Sequence, residues 1–147
     1  MIRLPQDFKE FLQLLNSNGV EYLVVGGYAV GYHGYPRATV DLDVWIAVHR
    51  DNAERLVQTL KAFGFDLPEL SEGLFLEPDK VTRLGDPPLR IELLTNLSGV
   101  DFEECYAARD TVTIDQVPVS FIGLEHLKLN KEAAARFKDL NDLEHLP

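Results

Sequence analysis

Asp41 and Asp43, separated by one leucine, are the residues best placed by type and spacing to do chemistry. They lie in the stretch Val24 to Val48, VVGGYAVGYHGYPRATVDLDVWIAV, where an apolar strand runs into Gly26-Gly27, a short turn of helix follows, and a second apolar strand carries both acids. Successive strand side chains point to opposite faces, so the two carboxylates share one face about 6 to 7 Å apart while Leu42 and Val44 face the core. Two anions held that way call for protonation of one of them or for a bound cation. Glu92, alone among apolar neighbours in RIELL, is either a solvated edge-strand residue or a third carboxylate facing the pair. Gly26 and Gly27 let backbone approach a ligand and aim the following helix's amides at an anion, although two glycines alone are more often a plain turn. Arg37 and Thr39 flank the approach to the acidic strand, where the guanidinium either pairs with a phosphate or neutralises Asp41 or Asp43.

The order hhhGG, a small-residue helix, then G-x-P-R-x-T-x-D-h-D-h resembles the polymerase-β-like nucleotidyltransferase superfamily. More narrowly it resembles the small bacterial nucleotidyltransferase-like proteins of toxin–antitoxin and abortive-infection modules, alongside the lincosamide- and aminoglycoside-type enzymes. The resemblance implies a Mg²⁺-dependent transfer of a nucleoside monophosphate from a nucleoside triphosphate to a hydroxyl acceptor. It casts Asp41, Asp43 and Glu92 as ligands of two Mg²⁺ ions, with Glu92 standing where relatives usually have Asp, and with Glu92 or whichever acid faces the acceptor serving also as general base. Gly26, Gly27, Arg37 and Thr39 fall on the nucleotide side, with no serine at Gly27 or Tyr28 where relatives often carry one. The C-terminal Lys131, Arg136, Lys138, Asp139 and Asp142 resemble the segment K-R-A-A-G-R-P-K-D-x2-D, which implies that Lys131 and Arg136 neutralise the triphosphate. Ala135 and Phe137 replace the usual Gly and Pro there, so a more continuous helix is expected.

The resemblance leaves the acceptor open among a partner toxin's hydroxyl, an antibiotic hydroxyl and an RNA end. A non-catalytic antitoxin-type binding protein is the alternative from another class, and an acid cluster serving stability alone is the least favoured. With 147 residues there is little room for a separate acceptor region, which points to a partner chain or a homodimer.

Composition narrows the setting. The chain has ordinary globular usage, with 46% hydrophobic and 26% charged residues, and a length that buries a sizeable core in one domain. A net charge of −10 repels a long nucleic acid backbone, so extended duplex binding is not expected, whereas a single triphosphate needs only a few local cations and a divalent metal. No run is apolar enough to span a bilayer and MIRLPQDFKE lacks the layout of a signal peptide, so a cytoplasmic protein is expected. The single cysteine, Cys105, excludes an internal disulfide and a thiolate zinc cluster.

The elements that must hold these residues are those of an α/β (α+β) chain: a small mixed sheet flanked by helices, with a core over about 20–122 and helices over about 123–147. A helix is expected over Pro5 to Asn16, a buried strand over Glu21 to Val25 and a two-turn helix over Tyr28 to His33, broken by Gly34-Tyr35-Pro36. His33 is read as a carbonyl cap, not a metal ligand. Asp51 with Glu54 reads as a capping box opening a crossover helix that ends near Gly64. Leu67 to Gly73 reads as loop. Strands over Lys80 to Leu84 and Leu89 to Thr95 flank the turn Gly85-Asp86-Pro87-Pro88, a helix begins at Asp101, and a hairpin turns at Asp115-Gln116. The last segment reads as one or two helices with Leu140, Leu143 and Leu146 inward and Lys128, Lys131 and Lys138 sharing a face.

Overall fold

A computed structural model of the chain describes residues 3–66, 68–86 and 88–147; Leu67 of the expected loop and Pro87 of the expected turn lie outside them. The chain runs α1 (Gln6–Ser17), β1 (Tyr22–Val25), α2 (Gly26–Tyr32), β2 (Asp41–Ile46), α3 (Arg50–Phe63), a 3-10 turn (Glu72–Phe75), β3 (Val81–Leu84), β4 (Arg90–Leu94), α4 (Phe102–Ala107), β5 (Asp110–Ile114), β6 (Val117–Phe121), α5 (Leu124–Ala134) and α6 (Phe137–His145). The strands form one mixed sheet in the order β3-β4-β2-β1-β6-β5. β2 lies antiparallel to β1 and parallel to β4, so the acidic strand is central and paired on both sides.

The helices follow from their apolar stripes. Phe8, Phe11, Leu12 and Leu15 are the buried face of α1, at the i, i+3, i+4, i+7 spacing, and α3 buries Leu56 and Leu60. Phe11 meets Phe63 with ring centroids 5.3 Å apart, which locks α1 to the end of α3. All four residues of β1 are buried, as a strand enclosed on both faces requires. On β2, Leu42 and Val44 are buried, and Trp45 packs edge-on against Phe102 at 5.1 Å.

Several boundaries differ from the sequence reading for identifiable reasons. α2 begins at Gly26 itself, because a glycine with φ +66° turns β1 straight into helix. α3 is capped by the His49 side chain, which accepts a hydrogen bond from the Asn52 amide, and not by an Asp51–Glu54 box. Part of the stretch read as loop winds into the 3-10 turn over Glu72–Phe75, which buries Phe75. The hairpin, by contrast, turns where the sequence places it, through Asp115 and Gln116, both at positive φ, a pairing whose twist matches its strands.

The C-terminal segment is two helices. Ala135 stands in the left-handed region at φ +53° and ends α5, so replacing the usual glycine does not make the segment continuous. Leu140 is exposed, Leu143 half-buried and Leu146 buried; the fully buried positions of α6 are Asp139 and Asp142. The inward face of α6 is therefore ionic, because it meets Lys131 of α5.

Candidate active site

Strand register brings the acids together. Across the parallel β2–β4 pair, Asp41 lies opposite Arg90 and Asp43 opposite Glu92; across the antiparallel β1–β2 pair, Asp43 lies opposite Val25, the residue before the glycine turn. Asp43 therefore sits where β1 hands over to α2. A Cβ built on Gly26 would run into the Asp43 carboxylate, and one on Gly27 would come within 2.6 Å of Thr39 Oγ1. The glycine pair is what lets the start of α2 press against both residues. Thr39 Oγ1 in turn donates to the Asp41 carbonyl at 3.4 Å, linking the approach loop to the start of β2.

Each carboxylate has its own surroundings. Asp41 accepts hydrogen bonds from Arg90 Nε at 3.2 Å and Nη2 at 2.9 Å, a two-point ion pair. Glu92 accepts from Arg83 Nε at 3.0 Å and lies 3.8 Å from Arg90 Nη2. Asp43 has no such partner: its Oδ1 is buried without a hydrogen bond, a condition shared among the described residues only by the Trp45 indole nitrogen. Burial, then the negative charges of Glu92 and Asp41, push the Asp43 carboxyl up to about 7, with Lys138 opposing. Arg90 is held above its ordinary range first by the hydrogen bond to Asp41.

The basic residues are organised by α6. Arg37 donates from Nε at 2.8 Å and Nη2 at 3.0 Å to Asp142, so it pairs with neither Asp41 nor Asp43. Lys131 Nζ lies 3.1 Å from Asp139 Oδ1 and 3.1 Å from Asp142 Oδ2 with its side chain 3% exposed. That differs from an ammonium free to meet a phosphate: it bolts α5 to α6. At Arg136, the residue before α6, the backbone N–H and the guanidinium both donate to the Asp139 carboxylate, which ties down the start of the helix, while the Arg136 side chain remains 62% exposed. Burial alone would raise Asp139 and Asp142, but the hydrogen bonds from Arg136 and Lys131 to the first, and from Arg37 and Lys131 to the second, hold both below the ordinary carboxylate range. Three cations around two carboxylates leave a formal surplus of one positive charge beside the acids of β2. Asp43 and Arg136 are near enough to feel one another's charge.

The donor set is chemically suited to a hard divalent cation, since it is made of carboxylate oxygens, one of them buried and unpartnered. Among the described residues no group of three His, Cys, Asp or Glu side chains is gathered for a metal ion; Asp41 is turned to Arg90 and Glu92 to Arg83. Asp41, Asp43 and Glu92 would hold a cation after exchanging those arginines for it. Arg90 and Arg83 were missed in the sequence, although the alternation R-x-E in β4 puts Arg90 on the same face as Glu92. Cys105 has no part here: it is buried in the core, and burial pushes its thiol up to about 11.

A mixed six-stranded sheet with its acids on adjacent parallel strands, beside a glycine turn that opens a helix, defines a nucleotidyltransferase fold. The crystal structure of a nucleotidyltransferase candidate from Thermotoga maritima superposes with a TM-score of 0.61 at 13% identity, covering 93% of this chain and 86% of that one. That of an antigenic nucleotidyltransferase-like protein from Paracoccidioides brasiliensis does so with a TM-score of 0.55 at 22% identity, covering 97% and 76%. Over residues 5–147 the sequence matches the profile of a family described as nucleotidyl transferase of unknown function (DUF2204), and the chain belongs to that family. No curated protein matches it. Among the described residues no helix is long and apolar enough to cross a membrane.

Proposed function

We propose that the protein is a Mg²⁺-dependent nucleotidyltransferase that moves a nucleoside monophosphate from a nucleoside triphosphate to a hydroxyl acceptor. The observation that carries this reading is the half-buried Asp43 carboxylate, which has one oxygen buried and unpartnered, feels the charges of Glu92 and Asp41, and is pressed against Gly26. A carboxylate is costly there without a cation, and its neighbours supply further oxygen donors.

Asp41, Asp43 and Glu92 would hold Mg²⁺, expected as two ions, which when bound neutralise the triphosphate and the departing pyrophosphate. The chain's own groups do the positioning. Gly26 and Gly27 let the start of α2 close onto Asp43 and Thr39, so that the helix start and the approach loop form one wall beside the acids. Arg136, exposed and within reach of the Asp43 charge, is assigned the direct phosphate contact, while Lys131 and Arg37 act by fixing α6 through Asp139 and Asp142. Arg90 and Arg83, once displaced from Asp41 and Glu92, become available to the triphosphate. In the transfer, the acceptor oxygen forms a bond to the α-phosphorus, the bond from that phosphorus to the bridging oxygen breaks, pyrophosphate leaves, and the hydroxyl proton passes to Glu92.

The likeness of the G-x-P-R-x-T-x-D-h-D-h stretch to toxin–antitoxin relatives supports a hydroxyl of a partner toxin protein as the acceptor. Replacing Asp41 and Asp43 together by Asn tests the reading against contact alone. A transferase loses both label transfer and protection against a neighbouring toxin in co-expression; a protein that acts by contact keeps full protection.

A further inference from the structure

Helix α6 and the segment before β2 run past each other in opposite directions. Gly34 lies against Pro147, Tyr35 stacks on His145 with centroids 4.2 Å apart and accepts a hydrogen bond from Asn141, and Arg37 binds Asp142. That antiparallel run directs the start of α6 toward the side of the sheet where β2 begins. The charges agree, since Arg136 and Lys138, on either side of Phe137, both act on Asp43.

Phe137 opens that turn with 94% of its surface exposed, against 37% to 50% for the other exposed large hydrophobic residues. A ring left in water adds nothing to the core, and the first turn of a helix has no need of an aromatic residue. In the chain it stands between an exposed guanidinium and an ammonium, and the charges of both reach Asp43, which is what a nucleotide's phosphates would need close to its base.

We propose that the Phe137 ring is the platform on which the base of the nucleoside triphosphate stacks, with Arg136 and Lys138 directing the phosphates toward Asp41 and Asp43. This rests on the nucleotidyltransferase reading. It also deepens it, because stacking on a flat ring binds every base face and so gives affinity with little choice among bases. A second copy of the chain, docking on Phe137 and the partly exposed Leu140, is the competing occupant.

The test compares the native chain with Phe137→Ala and Phe137→Trp, each with Mg²⁺ and either α,β-methylene ribonucleoside triphosphates or inorganic tripolyphosphate. Binding is read by calorimetry and self-association by gel filtration. The proposal expects Phe137→Ala to bind the nucleotides about tenfold more weakly, the usual loss for one stacked base, with tripolyphosphate affinity unchanged. Phe137→Trp should retain binding, and its exposed indole should be quenched by the nucleotides and not by tripolyphosphate; the native chain's single tryptophan, Trp45, is buried. If Phe137→Ala binds both ligands as the native chain does, the stacking role is overturned while the transferase reading stands. Loss of a dimer with nucleotide affinity intact likewise overturns it in favour of a contact between copies. If the native chain binds neither ligand, the transferase reading fails and the stacking role with it.

Discussion

Arg90 grips Asp41 through two hydrogen bonds, at 3.2 and 2.9 Å, from the position directly opposite it on the parallel strand. The guanidinium thus occupies the carboxylate that a metal would need, and it is the main neutralising charge on that side of the acid cluster. Replacing Arg90 by Met should leave three carboxylates with Arg83 as their remaining ion-pair partner. The metal-free variant should melt at a lower temperature than the native chain, recover on adding Mg²⁺, and bind Mn²⁺ several-fold more tightly by electron paramagnetic resonance. An unchanged melting temperature with unchanged Mn²⁺ affinity would show that Arg90 does not compete for the site.

The Asp43 carboxyl gives a pH dependence with a definite sign. Its folded value, about 7, lies above the ordinary 3.8, so between those values the folded chain holds a proton that the unfolded chain has released. The linked stability is fully present below about pH 4 and is lost as pH rises toward 7. Asp43→Asn should therefore flatten the fall in metal-free melting temperature between pH 4 and 7 and leave the variant more stable than the native chain at pH 8. Thermal melts across that range check it, and parallel curves for the two proteins would refute it.

Gly26 combines a φ of +66° with the Asp43 carboxylate lying where its Cβ would be. Gly26→Ala should destabilise the fold by roughly 1 to 3 kcal/mol from backbone strain and crowding together. Gly64, at φ +112° with open space around it, is the control: alanine there should show strain alone and the smaller loss. Denaturant unfolding of the two variants measures the difference.

Lys131 is buried between Asp139 and Asp142, and removing one member of such a set strands the others. Lys131→Met should cost about 3 to 5 kcal/mol of stability. Replacing all three by apolar residues should recover much of that loss. If Lys131→Met unfolds like the native chain in denaturant yet binds nucleotide poorly, the ammonium belongs to the ligand and not to the helix pair.

How far this was legible in the sequence depends on the range of the interactions. The alternation of Asp41, Leu42, Asp43 and Val44 fixes which face each side chain takes, and Gly26-Gly27 marks the turn, because both are local. Which cation meets which carboxylate is set by strand register and helix docking, so the Asp41–Arg90 and Arg37–Asp142 pairs, 49 and 105 residues apart in the chain, leave no local trace. The same reason misplaced Leu140: an apolar stripe at helical spacing was expected inward, but the buried face of α6 carries Asp139 and Asp142 because Lys131 waits there. At His49 a ring nitrogen caps α3 next to Asp51 and Asn52, whose residue types are the commoner caps, so residue type alone points too far along the chain.

Transfer of a nucleotidyl group by the acids of β2 and β4 is the reaction on which the proposed function stands. It is tested most directly by incubating the purified chain and Mg²⁺ with a lysate of the producing cell and each ribonucleoside triphosphate, labelled at either the α- or the γ-phosphate. Macromolecular or small-molecule acceptors should be labelled from the α-phosphate alone and the γ-label released as pyrophosphate, with neither event in the Asp41→Asn, Asp43→Asn double variant. Label arriving from the γ-phosphate, undiminished transfer by the double variant, or no α-label transfer by the native chain would contradict it.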